Sequence, residues 1–186
     1  MRLTHKGTVE LATPRLTLRR LSVDDAQEMY QNWACDPQVT RFLTWEPYQS
    51  VSTACEYLEA MVKDYARSDF YNWGIVFEGA LVGSISVVRV DEEDFGCWIG
   101  YCIGRAWWGR GIVAEALRAV IGFLFSAVGF ERVAAIHDRE NPNSGKVMRK
   151  AGMTYEGTLR KSKFGKGRFI DTVYYAILRE EWEERP

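Results

Sequence analysis

Between Tyr71 and Val128 the apolar residues change period once, and this change narrows the fold more than any other feature. Tyr71, Trp73, Ile75 and Phe77 alternate as on one strand face. Glu78-Gly79 reads as a turn, Leu81 to Val90 as the next strand, acidic Asp91 to Asp94 as a loop, and Phe95 to Ile103 as a third strand. Consecutive strands joined by short turns specify an antiparallel meander. After it the period lengthens: Ile112, Ala116, Val120, Phe123 and Ala127 keep helical register within one pattern from Gly109 to Val128.

Shorter signals complete the order. Arg15 to Arg19 alternates like a half-buried strand. Ser22-Val23-Asp24-Asp25 is a capping-box start, after which Ala26, Met29, Tyr30 and Trp33 recur at helical spacing until Asp36-Pro37 ends the helix. A second helix follows Ser50 to Thr53, with Ala54, Tyr57, Leu58, Met61 and Tyr65 on one face. Beyond Val128 come a strand from Arg132 to His137 and a helix from Asn141 to Ala151 stopped by Gly152. Two strands close the chain, near Met153 to Arg160 and Ile170 to Leu178, joined through Gly165-Lys166-Gly167. The order β-α-α-β-β-β-α-β-α-β-β predicts an α+β fold: a mixed, largely antiparallel central sheet flanked by helices.

Length and composition bound the function. A chain of 186 residues is expected to form one domain, 1–186, and 47% hydrophobic residues exclude a disordered chain. Lys plus Arg is 24 against 25 for Asp plus Glu, so a globally basic nucleic-acid binder is disfavoured and no nucleic-acid partner is expected. No run of about 18 apolar residues exists, and no apolar core follows Met1 to Lys6, so neither a membrane span nor a secretory signal is expected. Cys35, Cys55, Cys97 and Cys102 lack CxxC spacing, and His5 and His137 lie far apart, so no metal site is expected. Four free thiols suit a reducing cytoplasm.

The segment Trp107-Trp108-Gly109-Arg110-Gly111-Ile112-Val113-Ala114-Glu115-Ala116 carries the most chemistry. It joins a strand to a long helix. Glycines at such a junction uncover backbone N–H groups at the positive end of the helix dipole, a ready site for a phosphate or pyrophosphate. Three readings stay open here: a turn with no ligand, a dinucleotide fingerprint, or a pyrophosphate cradle of another fold. Gly109 to Ala114 matches GxGxxA and Glu131 lies near the required offset, but an antiparallel meander precedes the match. A Walker loop is excluded because GK[ST] is missing. The second constellation, Asn141 to Met153, has a plain reading in which Asn141 caps a helix and Pro142 starts it.

Together, in this order, the two segments resemble the GCN5-related N-acetyltransferase (GNAT) superfamily, and within it the ribosomal-protein N-terminal acetyltransferase branch of RimJ/RimL type. The resemblance runs through Thr13 to Arg19, Asp36 to Leu43, Ile99-Gly100-Tyr101, Trp108-Gly109-Arg110-Gly111, Glu115-Ala116, Asn141 to Ser144 and Lys150-Ala151-Gly152-Met153. It covers roughly residues 10–178. It implies acetyl-coenzyme A as co-substrate, with its pyrophosphate on backbone N–H groups around Arg110, Gly111, Ile112 and Val113. It implies a strand that splays from its neighbour, so that the pantetheine arm pairs with backbone near Tyr101, Cys102 and Ile103. A backbone N–H near Cys102 or Ile103 would stabilise the oxyanion. Asn141 and Ser144 match positions near the thiol end.

Two positions depart from the superfamily pattern. Trp108 opens the turn, as is common in this branch, and β-branched Val113 suggests a slightly wider turn. Where many members carry a tyrosine that protonates the leaving thiolate, this chain has Met148, which cannot donate. The resemblance to this branch implies Ser144 as the acid in its place, against the plain reading of a capping hydroxyl. An acceptor amine must be neutral to attack. At pH 7 roughly a tenth of an α-amine is neutral, against about 0.04% of a lysine amine. An α-amine or small amine is thus favoured over a protein lysine. Glu46 is the first candidate for the base, the Asp91 to Asp94 loop the second and His137 a third; the plain reading of each acid is solvated charge. Trp33, Phe42, Trp45 and Trp73 are candidates to line an acceptor cleft, against a plain role in the core. The expectation is a cytoplasmic N-acetyltransferase acting directly on a primary amine of a small molecule or a protein N-terminus. The rivals are an NAD(P)-binding oxidoreductase and a coenzyme A-binding module without transfer.

Overall fold

The computed structural model describes residues 2–184, so Met1, Arg185 and Pro186 of the expected single domain lie outside the described residues. The chain starts with β1 (Leu11–Ala12) and β2 (Leu16–Arg19). A 3₁₀ turn, Val23–Asp25, leads into α1 (Ala26–Met29), which widens into one π turn, Tyr30–Ala34. Asp36 ends that helix but also starts another. Its carboxylate accepts from the Gln38 amide at 2.8 Å and caps α2 (Pro37–Thr40). Ser50 caps α3 (Val51–Asp64) through the Thr53 amide.

The expected meander follows as β3 (Asn72–Phe77), β4 (Ala80–Asp91) and β5 (Gly96–Ile103). Next come α4 (Ile112–Phe123) with a π turn at Leu124–Val128, β6 (Arg132–Asp138), α5 (Pro142–Ala151), β7 (Thr154–Gly165), β8 (Arg168–Leu178) and α6 (Arg179–Glu183). The eight strands form one sheet in the order β1-β2-β3-β4-β5-β6-β8-β7. Every pairing is antiparallel except β5 with β6. The last hairpin is longer than the sequence suggests. Both strands run to a two-residue turn at Lys166-Gly167, where φ is positive at each residue. Lys161, Lys163, Phe164 and Phe169 are all exposed there, so no apolar period marked the strands.

Each sheet face holds one core. On one side α4 and α5 cover Trp73, Ile75, Ile85, Cys97, Ile99 and Val133, together with helix residues Leu117, Val120 and Met148. On the other, Trp33, Leu58, Met61 and Leu81 pack under α1 and α3. Cys97 joins the first core and Cys102 the second, as strand alternation over five residues requires.

Arg19 fastens the α1 side by gripping Asp25 with two hydrogen bonds, 2.8 and 2.7 Å long. Burial would raise the Asp25 carboxyl, but the Arg19 hydrogen bond and the Ser22 backbone amide outweigh it and hold it below its ordinary 3.8. A carboxyl depressed on folding stabilises the fold above its unfolded pKa, and that stability disappears as pH falls through the folded value. Thermal melts should therefore be flat near neutrality and decline below about pH 4. Asp25→Asn should lower Tm at pH 7 and make the acid decline shallower; an unchanged acid limb would exclude the pair as its source.

Candidate active site

Parallel pairing between β5 and β6 lasts only from Gly96↔Arg132 to Ile99↔Ala135. Beyond that point β5 continues with β4 to Ile103, while β6 continues with β8 to Asp138. The two strands therefore part, and a gap opens from Gly100 to Ile103. The Gly104 amide donates to the Val82 carbonyl at 2.8 Å. In an antiparallel ladder the residues facing the partner alternate, so Cys102 also faces β4, and Tyr101 and Ile103 turn their backbone groups to the gap. The expectation for the splayed strand thus needs one correction. Cys102's backbone belongs to the ladder with Ser84, which leaves Tyr101 and Ile103 as the open pair.

The gap leads into the glycine turn. A short turn, Arg105–Trp107, precedes it, and the exposed Trp108 donates its indole N–H to the Ile103 carbonyl at 3.0 Å. Gly109 and Gly111 sit at φ +77° and +75°, where a side chain is strained. This is their reason for being glycine. A Cβ on Gly109 meets nothing within 4 Å, and one on Gly111 meets only Arg15 Nη2 at 3.7 Å. The turn is open to solvent, with no protein wall that a Cβ would strike. Gly111 starts α4 without a side-chain cap, so the first helical amides at Ile112 and Val113 have no capping side chain. The Val113 side chain is buried, at 6% exposure.

Glu115, one turn into α4, ties this region to the chain's start. It accepts from Thr13 Oγ1 at 2.6 Å and from Arg15 Nε at 2.7 Å, and Arg15 Nη1 also donates to the Arg110 carbonyl at 3.2 Å. Burial would raise the Glu115 carboxyl; the Thr13 and Arg15 hydrogen bonds outweigh it and hold it below the ordinary range.

Across the gap, α5 sits close on β6. A Cβ on Gly145 would stand 2.7 Å from His137 Nε2, so only glycine allows this approach. Asn141 occupies the cap position with Pro142 behind it, but its side chain makes no capping bond, contrary to the plain reading. Ser144 faces β5. Its Oγ lies 2.9 Å from the Tyr101 hydroxyl, which also donates to the Ser144 carbonyl at 3.1 Å. Burial pushes the Tyr101 phenol well above its ordinary pKa, against the opposing Ser144 hydrogen bond. This phenol bridges the two arms of the gap. Sequence reading took Tyr101 for its backbone alone, although the strand period does turn its ring toward α5. Met148 is buried in the core and offers no proton.

The remaining candidates scatter. Trp33 and Trp73 are 1% and 0% exposed, so both belong to the cores and not to a cleft. Phe42 lies beside Arg41, and Trp45 packs on Tyr48 with ring centroids 5.1 Å apart. Glu46 is 75% exposed and stands 3.6 Å from Lys166 Nζ at the tip of the last hairpin. The Asp91 to Asp94 loop precedes β5, and the open pair closes it. Seven residues of strand separate the two ends, roughly 23 Å, which removes these acids from the site. His137 donates from Nδ1 to the Asp138 carbonyl at 2.7 Å and lies under α5 against Tyr175. Among the described residues no group of three His, Cys, Asp or Glu could hold a metal, and no helix is long and apolar enough to cross a membrane.

Comparison with known proteins gives this geometry a family. The family described as "Acetyltransferase (GNAT) domain" matches residues 15–154. The N-acetyltransferase p20 of Bacillus licheniformis is 31% identical over 175 residues, covering 92% of this chain and 97% of that protein. The [ribosomal protein uS5]-alanine N-acetyltransferase of Escherichia coli (strain K12) is 27% identical over 184 residues, covering 94% and 93%. The fold matches RimL, a ribosomal L7/L12 alpha-N-protein acetyltransferase solved with coenzyme A, at a TM-score of 0.82 and 18% identity over 91% of this chain and 98% of that one. The oxidoreductase alternative fails on the same findings: the GxGxxA match follows an antiparallel meander, not a strand of a doubly wound parallel sheet. The chain belongs to the GNAT acetyltransferase family, and its activity is that of an N-acetyltransferase.

Proposed function

We propose that the chain moves an acetyl group from acetyl-coenzyme A directly to a primary amine, and that the α-amine of a protein N-terminus is the acceptor it serves best. One observation carries the reading: the splayed strand, with Tyr101 and Ile103 turned outward, runs straight into an uncapped helix start. The amides of Arg110, Gly111, Ile112 and Val113 hold the pyrophosphate, helped by the helix dipole. Gly109 lets the ligand approach the turn, and Trp108 steadies it by holding the Ile103 carbonyl. The open backbone groups of Tyr101 receive the pantetheine arm as an added strand, beside the Ile103 N–H. The uncapped Asn141 amide meets the co-substrate near its thiol end.

Acetyl-coenzyme A supplies the acyl group as a thioester. The Ile103 N–H faces the gap and is the donor for the developing oxyanion. Ser144 hydrogen-bonds the departing sulfur. Tyr101 donates its hydroxyl hydrogen to the Ser144 carbonyl and its oxygen lies 2.9 Å from Ser144 Oγ, which keeps the serine at the edge of the gap. Cys102 does not act as a nucleophile: burial pushes its thiol pKa up, and its nearest polar partner is Ser84 Oγ at 3.4 Å, not a base. Direct transfer follows. An α-amine, partly neutral at pH 7, needs only a water relay to a weak base. Glu46, open to solvent on the loop after α2, ends that relay. The uS5-alanine acetyltransferase among the relatives supports the N-terminal acceptor, and the free thiols suit a cytoplasmic setting.

Gly111→Trp should lose acetyl-coenzyme A binding by calorimetry while its circular dichroism stays that of the wild type; retained affinity contradicts the assignment of the turn. Ser144→Ala should lower kcat at least about tenfold with a smaller change in acetyl-coenzyme A affinity. Tyr101→Phe should lower kcat in the same direction but less, and equal turnover in both variants removes the pair from the chemistry. The panel that measures these rates should include N-terminal Ala and Ser peptides, a lysine peptide and spermidine. Binding of acetyl-coenzyme A with no turnover on any amine would instead support a coenzyme A-binding module.

A further inference from the structure

The face of the sheet toward α3 carries a niche that the roles above leave unused. Register sets Asn72, Ser86 and Gly100 side by side across β3, β4 and β5, with Ser84 and Cys102 on the next rung. Their neighbours Trp73, Ile85 and Tyr101 pack into the opposite core, so these residues face α3. The floor is small: two serines and a glycine lie between Asn72 and Cys102. Tyr57 of α3 and Tyr48 of the loop before α3 stand above it, with ring centroids 6.4 Å apart, and Trp45 packs tilted against Tyr48. Both phenols sense the Cys102 thiol, so the niche reaches the strand that borders the gap. Tyr57 is 40% exposed and marks the opening to solvent.

Asn72 is the informative residue. It is 7% exposed, and its backbone is satisfied: the N–H donates to Thr8 Oγ1 and the carbonyl accepts from the Tyr65 hydroxyl, both at 2.9 Å. Its side-chain amide meets the Tyr57 phenol. Its Oδ1, however, is buried and has no hydrogen-bond partner among the described residues. A buried carbonyl left unpaired costs about 1–3 kcal/mol, which an apolar residue would avoid. A donor arriving from outside would remove the cost.

We propose that this niche recognises the acceptor, with Asn72 Oδ1 accepting a hydrogen from an N–H group of the acceptor that lies beyond the reacting amine. The inference rests on the acetyl-transfer reading and adds to it a residue and a selectivity. The niche holds no carboxylate, and its phenols are neutral: burial raises Tyr48 to about 12 and pushes Tyr57 up. At the rim, the nearest carboxylate, Glu46, is already paired with Lys166 Nζ at 3.6 Å, and that ammonium is fixed on the carbonyls of Thr40 and Trp45 at 2.8 and 2.9 Å. A second ammonium would find no partner here. The ligand class is therefore an amine with one charge at most and amide N–H groups beyond it, as in a peptide, and not a polyamine.

The test compares wild type, Asn72→Leu and Tyr57→Phe in steady-state kinetics with an N-terminal Ala or Ser peptide and with spermidine, alongside thermal melts and acetyl-coenzyme A calorimetry. Asn72→Leu should raise the peptide KM about tenfold with kcat nearly unchanged, because a hydrogen bond in a buried site is lost. Its acetyl-coenzyme A Kd should stay within about twofold, since Asn72 lies on β3, two strands from β5 and its open edge, and its Tm should equal or exceed that of the wild type once the orphaned carbonyl is gone. Tyr57→Phe, which leaves the backbone and the core untouched, should raise the same KM less, and decides alone if Asn72→Leu fails to fold. An unchanged peptide KM in the folded variants, or better turnover of spermidine than of peptides by the wild type, overturns the proposal. Failure of wild-type protein to bind acetyl-coenzyme A would overturn the transfer reading instead.

Discussion

Four residues of parallel pairing between β5 and β6, and no more, set the geometry of this molecule. Each strand has a better partner on its far side: β4 follows β5 to its end, and β8 follows β6 to its end. The sheet therefore stays continuous at one end and divides at the other. Backbone groups that leave a ladder need other partners. Here the Ile103 carbonyl takes the Trp108 indole, and the rest of the open edge faces the gap. The same division explains Gly145. With the strands apart, α5 can settle on β6 only if nothing stands between its backbone and His137.

A helix that starts without a cap is normally a weakness, because four amides lose their partners. In α4 the weakness is confined. Glu115 anchors the first turn to Thr13 and Arg15, and Arg15 holds the Arg110 carbonyl from the other side. The positive φ of Gly109 and Gly111 then aims the free amides outward without help from a ligand. Preorganisation of this kind lets an anion bind without first ordering the loop. It also gives the strand near the chain's start a function: β2 lies far from the gap in sheet order, yet its neighbouring turn braces the anion site.

Elements with a buried face were legible in the sequence. The meander, α3, α4 and α5 all carry one apolar side, and their periods gave them within a few residues. What escaped lacks that signal. The outer half of the last hairpin is exposed on both faces, and α2 is a four-residue helix known only from its Asp36 cap. Within the site, the glycine turn and the Asn141 to Ser144 segment were legible because backbone chemistry restricts residue choice there. The aromatic candidates were not. Trp33 and Phe42 look alike in a sequence, and only packing sends Trp33 under α3 and leaves Phe42 partly open. Tyr48 and Tyr57 were missed for the converse reason, since helical period assigned Tyr57 to the packed face of α3.

The position of the phenol bears on how the chemistry is distributed. Where the superfamily often has a tyrosine on the helix after the gap, this chain has Met148, sealed in the core. Its phenol comes from the opposite arm, as Tyr101 on β5, and reaches Ser144 across the opening. A single tyrosine on the helix would have to bind the sulfur and locate itself. Here two hydroxyls meet instead: the buried phenol, kept protonated by its raised pKa, donates to the Ser144 carbonyl and lies 2.9 Å from the Ser144 hydroxyl. Because the pair spans the gap, it also sets the distance between the arms. The separation of β5 from α5 and the direction of the Ser144 hydroxyl then depend on the two contacts of one phenol. A change that loosens the splay must therefore disturb the Ser144 hydroxyl as well.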